Sequence, residues 1–411
     1  MTAIVPRPPR GVLLRLYAFA GLNEFTPVLT LYPLLFTDHG LTSGDVSVLF
    51  AVWSVTGLVL EVPSGVWADH VPRPWLLALG QLLRAVGFCV WGLVPGHPSF
   101  AAGIVLWAAC DALTSGTWEA WVYDELAEHR SLHLYPRLIG RARAVGLLAT
   151  VTGAAVAAPL YSLGDYALVG CCSAAACLAA AGAALSLPRT ARVTVPLGPV
   201  AEPGSRHAAT RTLRAGLRSI GDSPVLRHAV LLAAVLQGIW AVEEYMPLLF
   251  RAHGSATYEV PLLIVVLSVG KAVGGWLVDP LRDVRPTHLA ALLAVASVLL
   301  CGGALTDHAV GVVPMTVCFA VLQCATLLAQ VRLQPLVPDR VRATVPSLSR
   351  LGGQATAIVL YASWAMGARW LPPTPLVALF GAVLLLIAAM TPRLLPSDPA
   401  GRAHAAPPRP R

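Results

Sequence analysis

Charged residues are scarce in this sequence, at 12% of its 411 positions, and lysine occurs once, at Lys271. A soluble globular protein carries about a quarter charged residues, so this composition excludes an ordinary water-soluble domain. Hydrophobic residues amount to 56%, and the mean hydropathy is +0.69. The chain is therefore predicted to be an all-α integral membrane protein.

Motifs that would indicate an enzyme are also missing. The sequence contains no P-loop, no Gly-x-Ser-x-Gly and no His-rich pattern. Its eight cysteines lie almost wholly in apolar runs without metal-ligand spacing, and they are interpreted as small core residues. We expect no enzymatic activity, no metal site and no cofactor.

Long apolar runs are what the sequence has instead. Because a helix needs roughly 20 apolar residues to cross the bilayer, we predict twelve transmembrane helices, near 12–36, 45–65, 75–95, 100–123, 139–162, 165–187, 228–250, 259–281, 287–305, 309–334, 345–370 and 373–392. The first run carries Arg15 and Glu24, which is atypical of a cleavable signal peptide.

The distribution of cations predicts the orientation. If both termini are cytoplasmic, most of the 29 cations fall in inner segments, and only Arg251 and Arg369 fall in outer ones. The net charge of +8 then suits the anionic inner leaflet. We expect a multi-pass protein of the plasma membrane, a monomer, with no nucleic-acid partner.

The sequence is internally repeated. The segment 33–40 returns at 247–254 with six of eight positions matched, 214 residues later. We predict two pseudo-symmetric six-helix bundles, with the following domains: 1–188, the N-terminal half; 189–227, a basic cytoplasmic linker; 228–392, the C-terminal half; and 393–411, a disordered cytoplasmic tail.

Two local motifs carry a family resemblance. The loop Gly65-Val-Trp-Ala-Asp69-His-Val-Pro-Arg73 resembles the Gly-x-x-x-Asp-x-x-x-Arg signature of the major facilitator superfamily, and Gly275 to Asp279 repeats its first part. Residues 115–124 are similar to the Ser-Gly-x-x-Glu-Ala-x-x-x-Asp run of a drug-exporter-like branch. The resemblance implies that family's fold and secondary transport by alternating access.

The signature loop also has a physical interpretation. Asp69 can face the positive N-terminal end of a helix that starts near Thr344, and Arg73 can reach Asp124. The resemblance implies a conformational latch formed by Gly65, Asp69, Arg73, Asp124, Gly275 and Asp279. The alternative is that Asp69 and Arg73 are solvated turn residues.

Charges inside the spans indicate the site, because each costs roughly 2.5 to 3.5 kcal/mol at the bilayer centre unless it faces a cavity or a partner. At helical spacing Asp111, Ser115, Trp118 and Glu119 fall near one face. The predicted cavity residues are Glu24, Arg84, Asp111, Trp118, Glu119, Trp240, Glu243, Glu244, Tyr245 and Lys271.

Lys271 lies eight residues before Asp279, as Glu61 lies eight before Asp69, so opposite charges occupy equivalent positions. Lysine changes its protonation readily when buried, which fits a role in coupling. A structural ion pair with Asp279 or another carboxylate is the favoured interpretation, and coupling is the alternative.

Coupling to protons requires a carboxyl group that holds a proton near neutral pH, which burial favours. Glu119 and Asp111 are the first candidates, followed by Glu24 and Glu244. In the alternative interpretation, a fixed salt bridge with Arg84 or Arg332 keeps each ionised.

We predict a secondary active transporter for proton-coupled efflux of an amphipathic, cationic small molecule, such as a drug or secondary metabolite, with the proton gradient as its energy source. The carboxylates and Trp118, Trp240 and Tyr245 favour such a substrate. The alternatives are an importer of a small metabolite, and a transporter-like membrane sensor or interaction protein.

Overall fold

The computed structural model describes residues 9–189, 206–306, 308–338, 341 and 344–395, without the side chains of 62, 66, 69 and 206–213. This part of the chain contains α-helices and short 3-10 helices and no strand. Its α-helices are α1 Arg10–Glu24, α2 Tyr32–Asp38, α3 Ser43–His70, α4 Arg73–Leu93, α5 His97–Thr114, α6 Thr117–Glu128, α7 Tyr135–Leu185, α8 Arg206–Asp222, α9 Pro224–Gly238, α10 Met246–Ala252, α11 Val260–Trp276, α12 Pro286–Ala304, α13 Val312–Leu333, α14 Thr344–Gly367 and α15 Pro373–Leu394. Residues 190–205 of the predicted linker and 396–411 of the predicted tail lie outside the described residues.

Local sequence signals define the ends of α3. Thr42 precedes the helix and accepts a hydrogen bond from the Asp45 backbone N–H at 3.1 Å, while the Asp45 carboxylate accepts one from the Thr42 N–H at 2.9 Å. This reciprocal capping box satisfies two N–H groups that a helix start otherwise leaves unpaired. At the other end Pro72, which has no N–H, separates α3 from α4 by a tight turn.

The chain divides into two compact units. The first consists of the described part of residues 1–200 with 256–265, and the second of the described part of 201–255 with 266–411. Within the second unit, Gly216 of α8 packs closely against Thr344 of α14. The predicted domain boundaries are not tested by this division and stay predictions.

The repeat seen in the sequence extends to the helix boundaries. Helix α9 begins and ends 214 residues after α1 (224 − 10 and 238 − 24), and α10 begins and ends 214 residues after α2 (246 − 32 and 252 − 38). The two units thus share the length of each helix in this region and of the segment between them.

That segment was not predicted, because the spans 12–36 and 228–250 were expected to be continuous helices. Each is interrupted, at 25–31 and at 239–245. Pro33 and Pro247 stand just after the interruptions and lack the N–H that would bond to the residue four positions earlier, and Pro27 lies within the first one. Hydropathy does not detect such breaks, since the residues involved remain largely apolar.

The span predicted at 100–123 is also broken, between α5 and α6. Gly116 has φ 74°, a left-handed conformation that glycine adopts without steric cost. In the second unit α13 runs unbroken over 22 residues. The predicted span 139–162 and all but the last two residues of 165–187 lie in α7, which is non-helical at Gly164 and Asp165.

Eight stretches of the described chain are long and apolar enough to cross a membrane. Helices α1 and α2 are each too short by themselves, and α11 is an apolar helix just below that length, with 17 residues. The number of twelve transmembrane helices and the cytoplasmic position of the termini stay predictions.

Small residues allow close packing of neighbouring helices. A Cβ on Gly87 of α4 would lie 3.1 Å from the carbonyl oxygen of Gly103 on α5, so the two backbones nearly touch. Transmembrane helices associate through such contacts.

The cysteines only partly match their interpretation as core residues: Cys110, Cys177, Cys318 and Cys324 are buried, but Cys89 and Cys171 are exposed.

Candidate functional site

A cavity of 640 Å³ lies within the first unit. We call it the first-unit cavity. Its walls come from α1, α4, α5, α6, α7 and the interruption after α1, and its charged lining residues are Glu24, Arg84, Asp111, Glu119 and Arg143. The volume is within the range that holds drug-sized ligands. Four of these five residues were predicted from the sequence, and Trp118, also predicted, lines the same space.

Arg84 stabilises the interrupted end of α1. It is 5% exposed, and its guanidinium donates to the Asn23 carbonyl oxygen at 2.6 Å and to the Gln81 side-chain oxygen at 2.8 Å. The C-terminal end of a helix has unpaired carbonyl groups and a partial negative charge. The Arg84 guanidinium supplies both a hydrogen-bond donor and a positive charge at this end of α1. Gln81 in turn donates to the Asn23 side-chain oxygen at 2.6 Å.

The Arg84 network bears on one alternative from the sequence, in which Arg84 neutralises a cavity carboxylate. Among the side chains that the structure describes, no ion pair joins Arg84 to an acidic residue. Arg332 likewise donates to two backbone carbonyls, those of Arg282 at 2.7 Å and Val284 at 2.6 Å. Both arginines therefore bind backbone or amide oxygens.

Glu24 is the last residue of α1 and lies at the cavity wall. Its carboxylate accepts a hydrogen bond from the Asn23 side-chain amide at 2.7 Å. Gly146 of α7 leaves room for it, because a Cβ there would lie 3.0 Å from the Glu24 Cγ. The interruption thus exposes a carboxylate to the cavity at the point where the helix ends.

Asp111, Ser115, Trp118 and Glu119 all line the cavity, although the predicted single helical face does not exist. The break at Gly116 separates Asp111 on α5 from Trp118 and Glu119 on α6. Asp111 accepts a hydrogen bond from the Trp53 indole N–H at 3.2 Å. Glu119 lies 3.9 Å from the Arg143 guanidinium, in a pair that is partly exposed.

Aromatic rings surround these carboxylates. Trp118 packs against Phe19 with ring centroids 5.0 Å apart. Trp107 lies one helical turn before Asp111 and 5.5 Å from Trp53. Sequence reasoning missed Trp53, Trp107, Gln81 and Arg143. The i, i+4 spacing of Trp107 and Asp111 and the i, i+3 spacing of Gln81 and Arg84 were available signals for two of them.

The second unit contains a different arrangement of charge. The Lys271 ammonium lies 2.5 Å from the Glu243 carboxylate and 5.6 Å from the centre of the Trp240 ring. Trp240 donates through its indole N–H to Thr326 at 3.2 Å. The partner of Lys271 is thus a carboxylate other than Asp279, as one of the two sequence interpretations allowed.

Glu244 and Tyr245 are placed differently from each other. Glu244 is half-buried, whereas Tyr245 is 0% exposed and stacks on Trp364 with ring centroids 3.6 Å apart. The 3-10 conformation of 239–245 turns Tyr245 into the packed interior of the second unit. The structure therefore gives Tyr245 a packing role rather than a place beside the Lys271 pair.

The predicted contact of Arg73 with Asp124 is present, as an ion pair at the ends of α4 and α6. Arg73 also donates to the Ala120 carbonyl at 2.9 Å. Gly65 and Gly275 have no described atom within 4 Å of a Cβ position, and Asp279 is exposed. The Asp69 side chain lies outside the described residues, so the latch function stays a prediction.

Repeated units, interrupted helices and charges around a cavity define a multi-pass helical membrane protein of the transporter type. The chain belongs to the Major Facilitator Superfamily, whose profile matches residues 13–360. The predicted superfamily and its all-α membrane fold are thereby confirmed, whereas the drug-exporter-like branch stays a prediction.

One curated relative is an uncharacterised MFS-type transporter of Bacillus subtilis (strain 168), YxaM, which is 26% identical over 119 residues. The match spans 28% of this chain and 29% of that relative.

Solved structures resemble the chain over nearly its whole length. A bacterial homologue of the human lysosomal transporter Spinster has a TM-score of 0.70 at 17% identity, covering 94% of this chain and 97% of its own. A variant of the nucleoside transporter NupG has a TM-score of 0.71 at 14% identity, covering 92% and 99%. A D-xylose–proton symporter has a TM-score of 0.67 at 15% identity, covering 95% and 97%. At these identities the likeness establishes the fold alone.

Proposed function

We propose that the protein is a secondary active transporter that exports an amphipathic small molecule in exchange for protons, by alternating access. The observation that carries this proposal is the first-unit cavity, where three carboxylates and the Trp118 ring line a space of drug-like size. A charged wall inside an apolar bundle is costly, which favours a transport role over a purely structural one.

An amphipathic substrate is supported by the composition of the wall, and export by the resemblance of residues 115–124 to the drug-exporter-like branch. Phe19, Trp107 and Trp118 offer aromatic faces beside Glu24, Asp111 and Glu119. This combination suits a molecule with an apolar body and a positive group. The nucleoside and xylose transporters share the fold, but their substrates are not transferred to this chain.

Proton coupling is assigned first to Glu119. It lies on the cavity wall, and its ionic partner among the described side chains is Arg143, at 3.9 Å in a partly exposed pair. A pair this long and partly exposed contributes little energy, so it separates readily. We assign to Glu119 the exchange of a proton for substrate as the cavity opens to either side. The proton gradient across the plasma membrane is the energy source, with both termini cytoplasmic and the monomer as the unit.

The test uses the full-length protein in inside-out vesicles. A proton gradient should drive uptake of a panel of amphipathic cations and antibiotics by the wild type. Glu119→Gln should lose this uphill uptake yet retain exchange of labelled for unlabelled substrate without a gradient. Glu128→Gln, a change of an exposed carboxylate outside the cavity, should behave as the wild type.

Two results contradict the proposal. Unchanged uphill uptake by Glu119→Gln would remove Glu119 from the coupling step. Gradient-driven accumulation of a metabolite in right-side-out vesicles, with none of the amphipathic panel taken up in inside-out ones, would identify an importer instead.

A further inference from the structure

We propose that Asp111, Trp107 and Trp53 form the binding site for a monocationic head group, and that the substrate is an organic cation such as a tertiary or quaternary ammonium or a phosphonium. This inference rests on the proposal that the first-unit cavity is the substrate site. It names the part of the cavity that recognises charge and the class of molecule that fits.

The first argument is the partner of Asp111. Its carboxylate accepts a hydrogen bond from a neutral donor, the Trp53 indole N–H, and makes no ion pair with any side chain that the structure describes. By contrast, Glu119 faces Arg143 and Asp124 is paired with Arg73. The Arg84 guanidinium also acts on Asp111 through its charge, but it donates its hydrogen bonds to Asn23 and Gln81. A carboxylate that is hydrogen-bonded by a neutral group in an apolar bundle retains attraction for an external cation.

The second argument is the aromatic surface beside this carboxylate. Trp107 precedes Asp111 by one helical turn on α5, so both side chains lie on the same face. Both line the cavity. Trp53 stands at 5.5 Å and 39° from Trp107, and Tyr32 packs edge-on against Trp107 at 5.5 Å. The neighbouring rings fix Trp107, which is what a cation–π contact requires of its partner.

The third argument comes from the other unit. There the chain's own ammonium group, on Lys271, is held by the Glu243 carboxylate and lies over the Trp240 ring. A carboxylate combined with an indole is therefore an arrangement that this protein already uses to bind a cation. The Asp111 site has the same two components, and no side chain in the described part of the chain forms an ion pair there.

The roles of the two tryptophans differ. Trp107 is assigned to direct contact with the cation, because it lines the cavity. Trp53 is a positioning residue that orients the Asp111 carboxylate through its N–H. Ligands without hydrogen-bond donors satisfy this site, since recognition uses charge and an aromatic face. Shape selectivity is left to the apolar part of the wall.

The experiment measures equilibrium binding of radiolabelled tetraphenylphosphonium to the purified full-length protein. Tetraphenylborate, of similar size and opposite charge, reports binding that ignores the sign of the charge. Asp111→Asn should weaken phosphonium binding by about tenfold or more and leave borate binding no weaker. Trp107→Leu should weaken it by roughly 3- to 30-fold, whereas Trp107→Phe, which keeps a ring, should lose less.

Trp53→Phe keeps the ring and removes the N–H donor. We expect it to lower the preference for phosphonium over borate without changing the melting temperature, which a purely structural role would not produce. Glu128→Gln and Trp370→Leu alter an exposed carboxylate and an exposed indole outside the site, and both should bind as the wild type does.

The outcomes separate the two proposals. Phosphonium binding that is absent in the wild type, or equal in wild type, Asp111→Asn and Trp107→Leu, overturns the inference. Should Asp111→Asn fail to fold, the Trp107 variants alone decide. Binding that depends on Asp111 and Trp107, in a protein that transports nothing against a gradient, supports the inference and removes the proposed function.

Discussion

The two units interrupt their first helix at equivalent positions but stabilise the interruption with different chemistry. In the first unit Arg84 donates to the Asn23 carbonyl, and Glu24 and Asp111 are left facing a cavity. In the second, Glu243 within the interruption is paired with Lys271. The backbone repeat has been kept while the charges have diverged. We infer that the repeat provides the scaffold and that the side chains divide the tasks between the units.

The ends of the bundles differ in the same way. In the first unit an arginine at the start of α4, Arg73, reaches α6 through Asp124 and the Ala120 carbonyl. In the second unit Arg332, near the end of α13, donates to the carbonyls of Arg282 and Val284 in the turn that precedes α12. In both units an arginine thus joins the turn before the third long helix to the helix that follows. The arginine lies beside the turn in the first unit and on the later helix in the second.

Replacing Arg84 should have the largest effect on stability. Arg84→Met leaves the Asn23 carbonyl and the Gln81 side-chain oxygen without their buried donor, at about 1 to 3 kcal/mol for each group. The melting temperature of the detergent-solubilised protein measures the loss. Arg137→Met, at an exposed site on α7, is the control. A change no larger than the control's would mean that Arg84 does not hold the interruption.

Arg332→Ala should come next. It removes the donor to two turn carbonyls, with a cost of about 1 to 3 kcal/mol that is confined to the turn after α11. Hydrogen exchange should speed up around residues 282–284 and remain unchanged around 120–124, where Arg73 acts. The reverse pattern follows for Arg73→Ala. Uniform acceleration in both regions would contradict the assignment of each arginine to its own unit.

Gly116→Ala addresses the break that the first unit has and α13 lacks. An alanine at φ 74° costs about 1 kcal/mol, and the strain favours straightening of α5 and α6 into one helix. That change would move Glu119 and reduce uphill transport. Gly140→Ala, within α7 and with open space at its Cβ, is the matched control. Equal transport by both variants would show that the break is dispensable.

Lys271→Met should have the smallest effect on stability, under about 1 kcal/mol, because both members of the pair are about 30% exposed. The double variant with Glu243→Gln should recover part of the loss, and a double-mutant cycle gives the coupling energy. Unaltered transport by Lys271→Met would exclude a coupling role. A loss as large as that of Arg84→Met would erase the contrast between the units.

Much of the architecture was predictable because apolar runs and an internal repeat can be recognised directly in the amino-acid sequence. The membrane helices, the 214-residue repeat and the Arg73–Asp124 contact followed from the sequence. The interruptions did not, because a buried break keeps apolar residues and is stabilised by distant ones such as Arg84. The prediction of one helical face from Asp111 to Glu119 was also wrong, because residue spacing defines a face only on an unbroken helix and the helix is broken at Gly116.

Residues that line the first-unit cavity were predictable where they are charged and less so where they are aromatic, and their role in transport stays a prediction. Glu24, Asp111 and Glu119 were found because a charge in a span needs an explanation. Trp53 was missed, since a tryptophan in an apolar run is ordinary and its contact with Asp111 joins residues 58 positions apart. Tyr245 was grouped with its acidic neighbours, but the 3-10 segment directs adjacent side chains to different surroundings.

The interruption after α1 is tied to two different neighbours on its two sides. Asn23 is bonded to Arg84 on α4, whereas the Val28 N–H donates to Ser173 in the later part of α7 at 2.9 Å. Only a few residues separate Asn23 from Val28. Pro27 is one of them, and because it has no backbone N–H, no hydrogen bond from that position restricts movement. If α4 and the later part of α7 shift relative to each other, the displacement is absorbed there. Glu24 lies between these two anchored residues. A bend of the first unit at this position would therefore also change how far the Glu24 carboxylate is exposed to the cavity.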